Sequence, residues 1–157
     1  MGDSRRTVLD AVKTLGDHLR ELRCASLYET EPLHVTDQRR FINTVVAGFY
    51  GEHRPESARE LLSIIHKIEG SFGRNRAAER RWGERTLDID ILLFGSLMIN
   101  EKDIVIPHPR LIERRFVLQP LLEILPEAVI PGTGLPYQSI CDDLPDQGLK
   151  CLAAAVC

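Results

Sequence analysis

Asp88 and Asp90 lie in an otherwise apolar run, Leu-Asp-Ile-Asp-Ile-Leu-Leu-Phe, at residues 87–94. The run reads as a buried strand, and side chains two apart on a strand share a face. Two carboxylates on one face repel, and burying both unpaired is costly. A divalent cation removes the conflict, since magnesium takes one or two carboxylates together with phosphate oxygens. Two salt bridges to arginines would remove it as well. Just upstream stand Arg74, Arg76, Arg80, Arg81 and Arg85, against only Glu79 and Glu84. Guanidinium forks match phosphate oxygens and stay charged at any physiological pH. Clustered guanidiniums leading into paired carboxylates favour a site for a metal and a polyphosphate. Trp82, among them, suits stacking on a base or covering a closed site; otherwise it anchors a solvated loop to the core.

Further candidates are weaker one by one. His108 is held between Pro107 and Pro109, whose rings fix the backbone, and it suits a phosphate or a metal-bound water. Arg110, Arg114 and Arg115 follow it as a second cationic edge. Asn43, inside the apolar stretch Phe41–Phe49, suits reading the edge of a heterocycle, or ordinary backbone bonding. Spacing alone leaves Phe41 and Phe116 in the core. The sequence holds no Walker phosphate loop and no Gly-x-Gly-x-x-Gly.

The elements that must position these residues follow from periodicity. Asp3 or Ser4 caps a helix with Val8, Leu9, Val12, Leu15 and Leu19 on one face. Arg23–Thr30 and Phe41–Tyr50 read as strands joined as a hairpin, and Pro55 opens a helix carrying Ala58, Leu61, Leu62, Ile65 and Ile68. Residues 70–86 break every period, and a loop of that length in a compact domain is usually functional. After the 87–94 strand come short extended pieces at Met98-Ile99 and Ile104–Ile106. A third helix follows at Phe116–Leu125, then a tail of loop with a short helix near Ser139–Leu144. Helices packed on a mainly antiparallel sheet, an α+β domain, fit this order.

Composition sets the bounds. The chain has 157 residues, 43% hydrophobic and 27% charged, enough for one domain with its own core. A net charge of −3 argues against wholesale attraction to nucleic acid or anionic membrane. No apolar run approaches a membrane span, and no signal peptide is evident, so a cytoplasmic protein is expected. Cys24, Cys141, Cys151 and Cys157 form no Cys-x-x-Cys pair, and reduced thiols are the plain expectation.

Gly73-Arg74-x-Arg76, Arg81-Trp82-Gly83-x-Arg85-Thr86-Leu87-Asp88-Ile89-Asp90-Ile91-Leu92 and Val105-Ile106-Pro107-His108-Pro109 together resemble one family. It is 6-hydroxymethyl-7,8-dihydropterin pyrophosphokinase, of folate biosynthesis. The resemblance implies a ferredoxin-like α+β fold and transfer of pyrophosphate from ATP to the pterin hydroxymethyl, releasing AMP. It implies two magnesium ions on Asp88 and Asp90, with Arg76 and Arg85 acting beside them in catalysis. Nucleotide contacts would fall on Leu62, Glu69, Arg74, Arg76, Trp82, Arg85, His108 and Arg114. The pterin pocket would fall on Thr30, Leu33, Phe41, Asn43 and Phe116, with the heterocycle between the two phenylalanines. The family begins with a strand ending in Gly-Ser-Asn-Leu-Gly-Asp, and this chain matches only the tail of that motif at Met1-Gly2-Asp3. The expectation is a single domain over residues 1–157 lacking the family's first strand, as a monomer or a strand-exchanged dimer. Its partners would be small molecules, with no nucleic acid and no membrane. The alternative is a non-catalytic nucleotide- or pterin-binding protein derived from this family. An RNA-binding module built on the arginine-rich loop ranks behind both, since no aromatic RNA-binding signature is present.

Overall fold

The computed structural model describes residues 4–30, 40–73, 87–154 and 157. Helix α1, Ser4–Gly16, buries Ala11, Val12 and Leu15, part of the stripe that periodicity predicts. Helix α2, Pro55–Ser71, starts with proline at a position whose N–H needs no partner, and Glu56 favours the positive end of the helix. Its buried face includes Ala58, Leu61, Ile65 and Ile68, the last three of which meet Ala11 and Leu15 of α1. Gly51 leads into α2 at φ +53°, and an added Cβ would lie 2.8 Å from Ser57 Oγ, so both backbone shape and space require glycine there.

The predicted hairpin forms, but each long strand is split. Arg20–Cys24 (β1) pairs antiparallel with Val46–Phe49 (β4), with Cys24 opposite Val46. Leu27–Thr30 (β2) pairs antiparallel with Phe41–Asn43 (β3), with Thr30 opposite Phe41. The break falls at Ala25-Ser26 on one side and Thr44-Val45 on the other. There Ala25 N–H donates to Val45 O at 2.9 Å, and the Thr44 hydroxyl donates to Ala25 O at 3.1 Å. Ile99–Asn100 (β5) and Val105–Ile106 (β6) form a small antiparallel pair. A 3-10 turn, Leu111–Glu113, leads into α3, Arg115–Ile124, and α4 spans Tyr137–Asp143. The tail read as loop also supplies Lys150–Ala153 (β7), antiparallel to the free edge of β2.

These elements pack as helices on antiparallel sheets, an α+β fold. One core cluster joins Ala25 and Val45 to Leu118, Leu121 and Leu122 of α3 and Tyr137 of α4. A second joins α1, α2 and Leu87, and a third sets Ala58 against Ile99, Ile104 and Ile106.

Two sequence expectations need correction. Residues 87–94 have the burial a strand requires on one side, yet among the described residues they join no strand ladder. A strand needs a partner edge, and composition alone cannot supply one. Second, the thiols are not all reduced: Cys24 and Cys157 are bonded, with Cα atoms 5.6 Å apart, while Cys141 and Cys151 stay free. No helix among the described residues is long and apolar enough to cross a membrane.

Candidate active site

Over residues 87–90 apolar and acidic side chains alternate between the core and solvent. Leu87 is buried and Ile89 packs beside it against α1 and α2, whereas Asp88 and Asp90 open to solvent. The backbone is tied at Ile89, whose N–H donates to Glu69 Oε1 at 2.9 Å, and at Leu92, whose carbonyl accepts from His108 N–H at 2.9 Å. Through the second bond the turn after β6 brings His108 to the acidic pair, with Nε2 3.6 Å from Asp90 Oδ2. His108 Nδ1 accepts from Arg110 N–H at 3.2 Å, so the neutral ring carries its proton on Nε2, the atom facing the carboxylate.

The electrostatics record crowding. Burial, then the charge of Asp88, raises the Asp90 pKa, against the smaller pull of His108 and Arg114. Burial lowers the pKa of His108, and Arg114 and Arg110 add to the effect against the opposing carboxylates. Burial also lowers the pKa of Arg114, whose guanidinium lies 5.7 Å above the Phe116 ring. Asp88, Asp90, His108, Arg114 and Phe116 thus form one continuous edge.

That edge borders a cleft of about 2130 Å³, whose lining includes Asp88, Asp90, Arg114, Phe116, Thr30, Phe41 and Asn43. Asn43 Nδ2 donates to Thr30 Oγ1 at 2.9 Å, which fixes the amide and leaves its carbonyl oxygen available. Phe41 is 49% exposed, unusual for a large apolar ring and contrary to the core position that spacing gave it. The cleft also runs between β4 and residues 87–94, both of which line it. Arg40, which sequence spacing did not single out, lines the same space and pairs with Glu29 at 2.7 Å.

Not every candidate meets here. Leu62 packs with Ala58, Ile99, Ile104 and Ile106, and Glu69 is wholly buried. Leu33, Arg74, Arg76, Trp82 and Arg85 lie outside the described residues. Among the described residues no three His, Cys, Asp or Glu side chains converge to hold a metal. Magnesium needs no such trio, because water and phosphate oxygens fill the positions that two carboxylates leave. Asp88 and Asp90 offer carboxylate oxygens from the exposed side of one short segment, so the donor set fits.

The fold and site define an α+β protein with an acidic pair at the mouth of a mixed polar and aromatic cleft. Residues 1–126 match the model of the 7,8-dihydro-6-hydroxymethylpterin-pyrophosphokinase family, and the chain belongs to that family. It is 35% identical over 151 residues to a folic acid synthesis protein of Pneumocystis carinii, covering 96% of this chain and 20% of the relative. It is 44% identical over 120 residues to a mitochondrial folate synthesis bifunctional protein of Arabidopsis thaliana, covering 75% and 20%. Against the 2-amino-4-hydroxy-6-hydroxymethyldihydropteridine pyrophosphokinase of Bacillus subtilis it is 40% identical over 127 residues, covering 79% and 72%. The chain thus spans about a fifth of the length of the first two relatives.

Proposed function

We propose that this chain transfers pyrophosphate from ATP to 6-hydroxymethyl-7,8-dihydropterin, releasing AMP, as a step of folate biosynthesis. The observation that carries the reading is that Asp88 and Asp90 share one cleft with Asn43, Thr30, Phe41 and Phe116. Family membership and the names of the relatives support it.

In this reading the flat heterocycle enters between Phe41 and Phe116, and Asn43 bonds its polar edge. Thr30 holds the Asn43 amide in place. Magnesium bound by Asp88 and Asp90 supplies charge neutralisation to the triphosphate. Arg114 and the Nε2–H of His108 face the same phosphates, and Arg74, Arg76 and Arg85 add guanidinium contacts, with Trp82 against the base. The hydroxymethyl oxygen bonds to the β-phosphorus as the bond from that phosphorus to the α,β-bridging oxygen breaks. AMP and the hydroxyl proton leave. The protein contributes position and charge, which is where phosphoryl transfer is most responsive.

The setting proposed is the cytoplasm, with two magnesium ions and a monomeric chain forming one domain over residues 1–157. The cleft between β4 and residues 87–94 has room for a further strand of the sheet. Sedimentation tests the monomer, since a dimer would point to strand exchange instead. A second reading, binding without turnover, is favoured by the lack of a strand partner for residues 87–94 among the described residues. An assay of AMP formation from ATP, magnesium and the reduced pterin separates the two. Sustained AMP release dependent on pterin is expected; binding of both ligands with no AMP would leave only the second reading.

A further inference from the structure

Glu69 is the one fully buried charged side chain among the described residues, 0% exposed near the end of α2. Burying a carboxylate is expensive, so its hydrogen bonds must recover much of the loss. One of them is unusual in its target. Glu69 Oε1 accepts the N–H of Ile89, the residue between Asp88 and Asp90. In a ladder, that N–H would face a neighbouring strand, but residues 87–94 have no ladder among the described residues. Glu69 stands in for the strand.

The consequence is rotational. Side chains along an extended segment alternate with a period of two, so rolling the segment about its axis turns both aspartates from the cleft together. Holding the Ile89 N–H against α2 fixes that roll. Ile89 packs inward beside Leu87, Leu61 and Ile65, and its two acidic neighbours face out. On its own the packing of one isoleucine resists sliding but has little direction. A charge-assisted hydrogen bond has both strength and direction.

We propose that Glu69 is a positioning residue for the Asp88–Asp90 pair, acting through the Ile89 N–H. The proposal deepens the metal-dependent reading above and rests on it.

The test compares the native chain with Glu69→Gln and Glu69→Ala. Manganese binding is followed by electron paramagnetic resonance in the presence of a non-hydrolysable ATP analogue, and pterin binding is followed by fluorescence without metal. Glutamine keeps an acceptor oxygen at the same reach, so manganese affinity should stay within about threefold of native. Alanine loses the acceptor, and affinity should fall about tenfold or more, as for other outer partners of metal ligands. Pterin affinity should move little in either variant. Native-like manganese affinity in folded Glu69→Ala, or a tenfold loss in Glu69→Gln, would overturn the proposal. Should the alanine variant not fold, the glutamine result and the amide exchange rate of Ile89 decide. Slow exchange in the native chain and in Glu69→Gln is expected, and fast exchange in the native chain would overturn it. Manganese binding by the native chain tests the underlying reading separately: its absence removes the metal site itself, whereas its presence with an indifferent Glu69→Ala removes only the role of Glu69.

Discussion

The two walls of the cleft are built on opposite terms. On the β2–β3 side the polar groups of Ser26 and Tyr28 converge on one carboxylate. The Glu123 carboxylate of α3 accepts from Ser26 N–H at 3.0 and 3.1 Å, from the Ser26 hydroxyl at 2.6 Å and from the Tyr28 hydroxyl at 3.1 Å. β2 is paired on both edges, by β3 and β7. On the acidic side, residues 87–94 join no ladder among the described residues, two carboxylates crowd each other, and His108 is desolvated beside them. The first wall is stabilised by its own contacts and can hold a heterocycle in a fixed shape. On the second, burial and the charge of Asp88 disfavour the ionised form of Asp90, which a bound cation would offset. Stability and reactivity are therefore separated by location, as expected where a site carries local conflict.

That contrast is open to attack, and the largest effect is expected at Glu123. Glu123→Ala strips three donors of their acceptor, and each unsatisfied donor costs about 1–3 kcal/mol. A loss of about 3 kcal/mol in urea unfolding is expected, with catalytic activity per folded molecule little changed. A loss below about 1 kcal/mol would mean that wall is not held as described.

The next effect is alkaline. Burial, then the hydrogen bond to Glu123, raises the Tyr28 pKa to about 12. The folded chain therefore keeps a proton that the unfolded chain loses above pH 10, and stability should fall as pH rises from about 10 to about 12. The loss is on the order of 2 kcal/mol and should shrink in Tyr28→Phe. Denaturant midpoints across that range measure it.

Asn43→Ala should weaken pterin binding about tenfold, near the upper worth of a single hydrogen bond, while leaving nucleotide affinity unchanged. Titration with each ligand alone distinguishes this from general damage to the cleft. The smallest effect has the opposite sign. Because Asp90 has a raised pKa, its charge is unfavourable in the metal-free fold at neutral pH, and Asp90→Asn should slightly stabilise it. Asp90 is 43% exposed, so solvent screening keeps the gain below about 1 kcal/mol. A clear drop in melting temperature without metal would show that the acidic wall carries no such conflict.

How far the sequence reveals this arrangement differs by element. Helices α1 and α2 are visible because Leu15, Leu61, Ile65 and Ile68 recur at a helical period and do meet in one cluster. The acidic pair is visible because charge inside an apolar run is rare. Strand limits are not visible, since Ser26 gives its N–H to a carboxylate 97 residues away in place of a ladder. Nor is the partner of Glu69, a residue that family resemblance gives as a nucleotide contact; only the fold brings the N–H of Ile89, twenty residues on, to its carboxylate. β7 escaped because Lys-Cys-Leu-Ala is too short to alternate visibly; an open edge on β2 draws it in. Local pattern is written in the chain, and long-range partners are not.

The central claim is that Asp88 and Asp90 together seat the divalent ion on which turnover depends. Isothermal titration of magnesium and a non-hydrolysable ATP analogue, run on the native chain and on Asp88→Asn with AMP release measured in parallel, tests it most directly. The native chain should bind the nucleotide in a magnesium-dependent manner, and Asp88→Asn should lose that dependence along with about a thousandfold or more in rate while remaining folded. A folded Asp88→Asn variant that binds and turns over like the native chain would contradict the account.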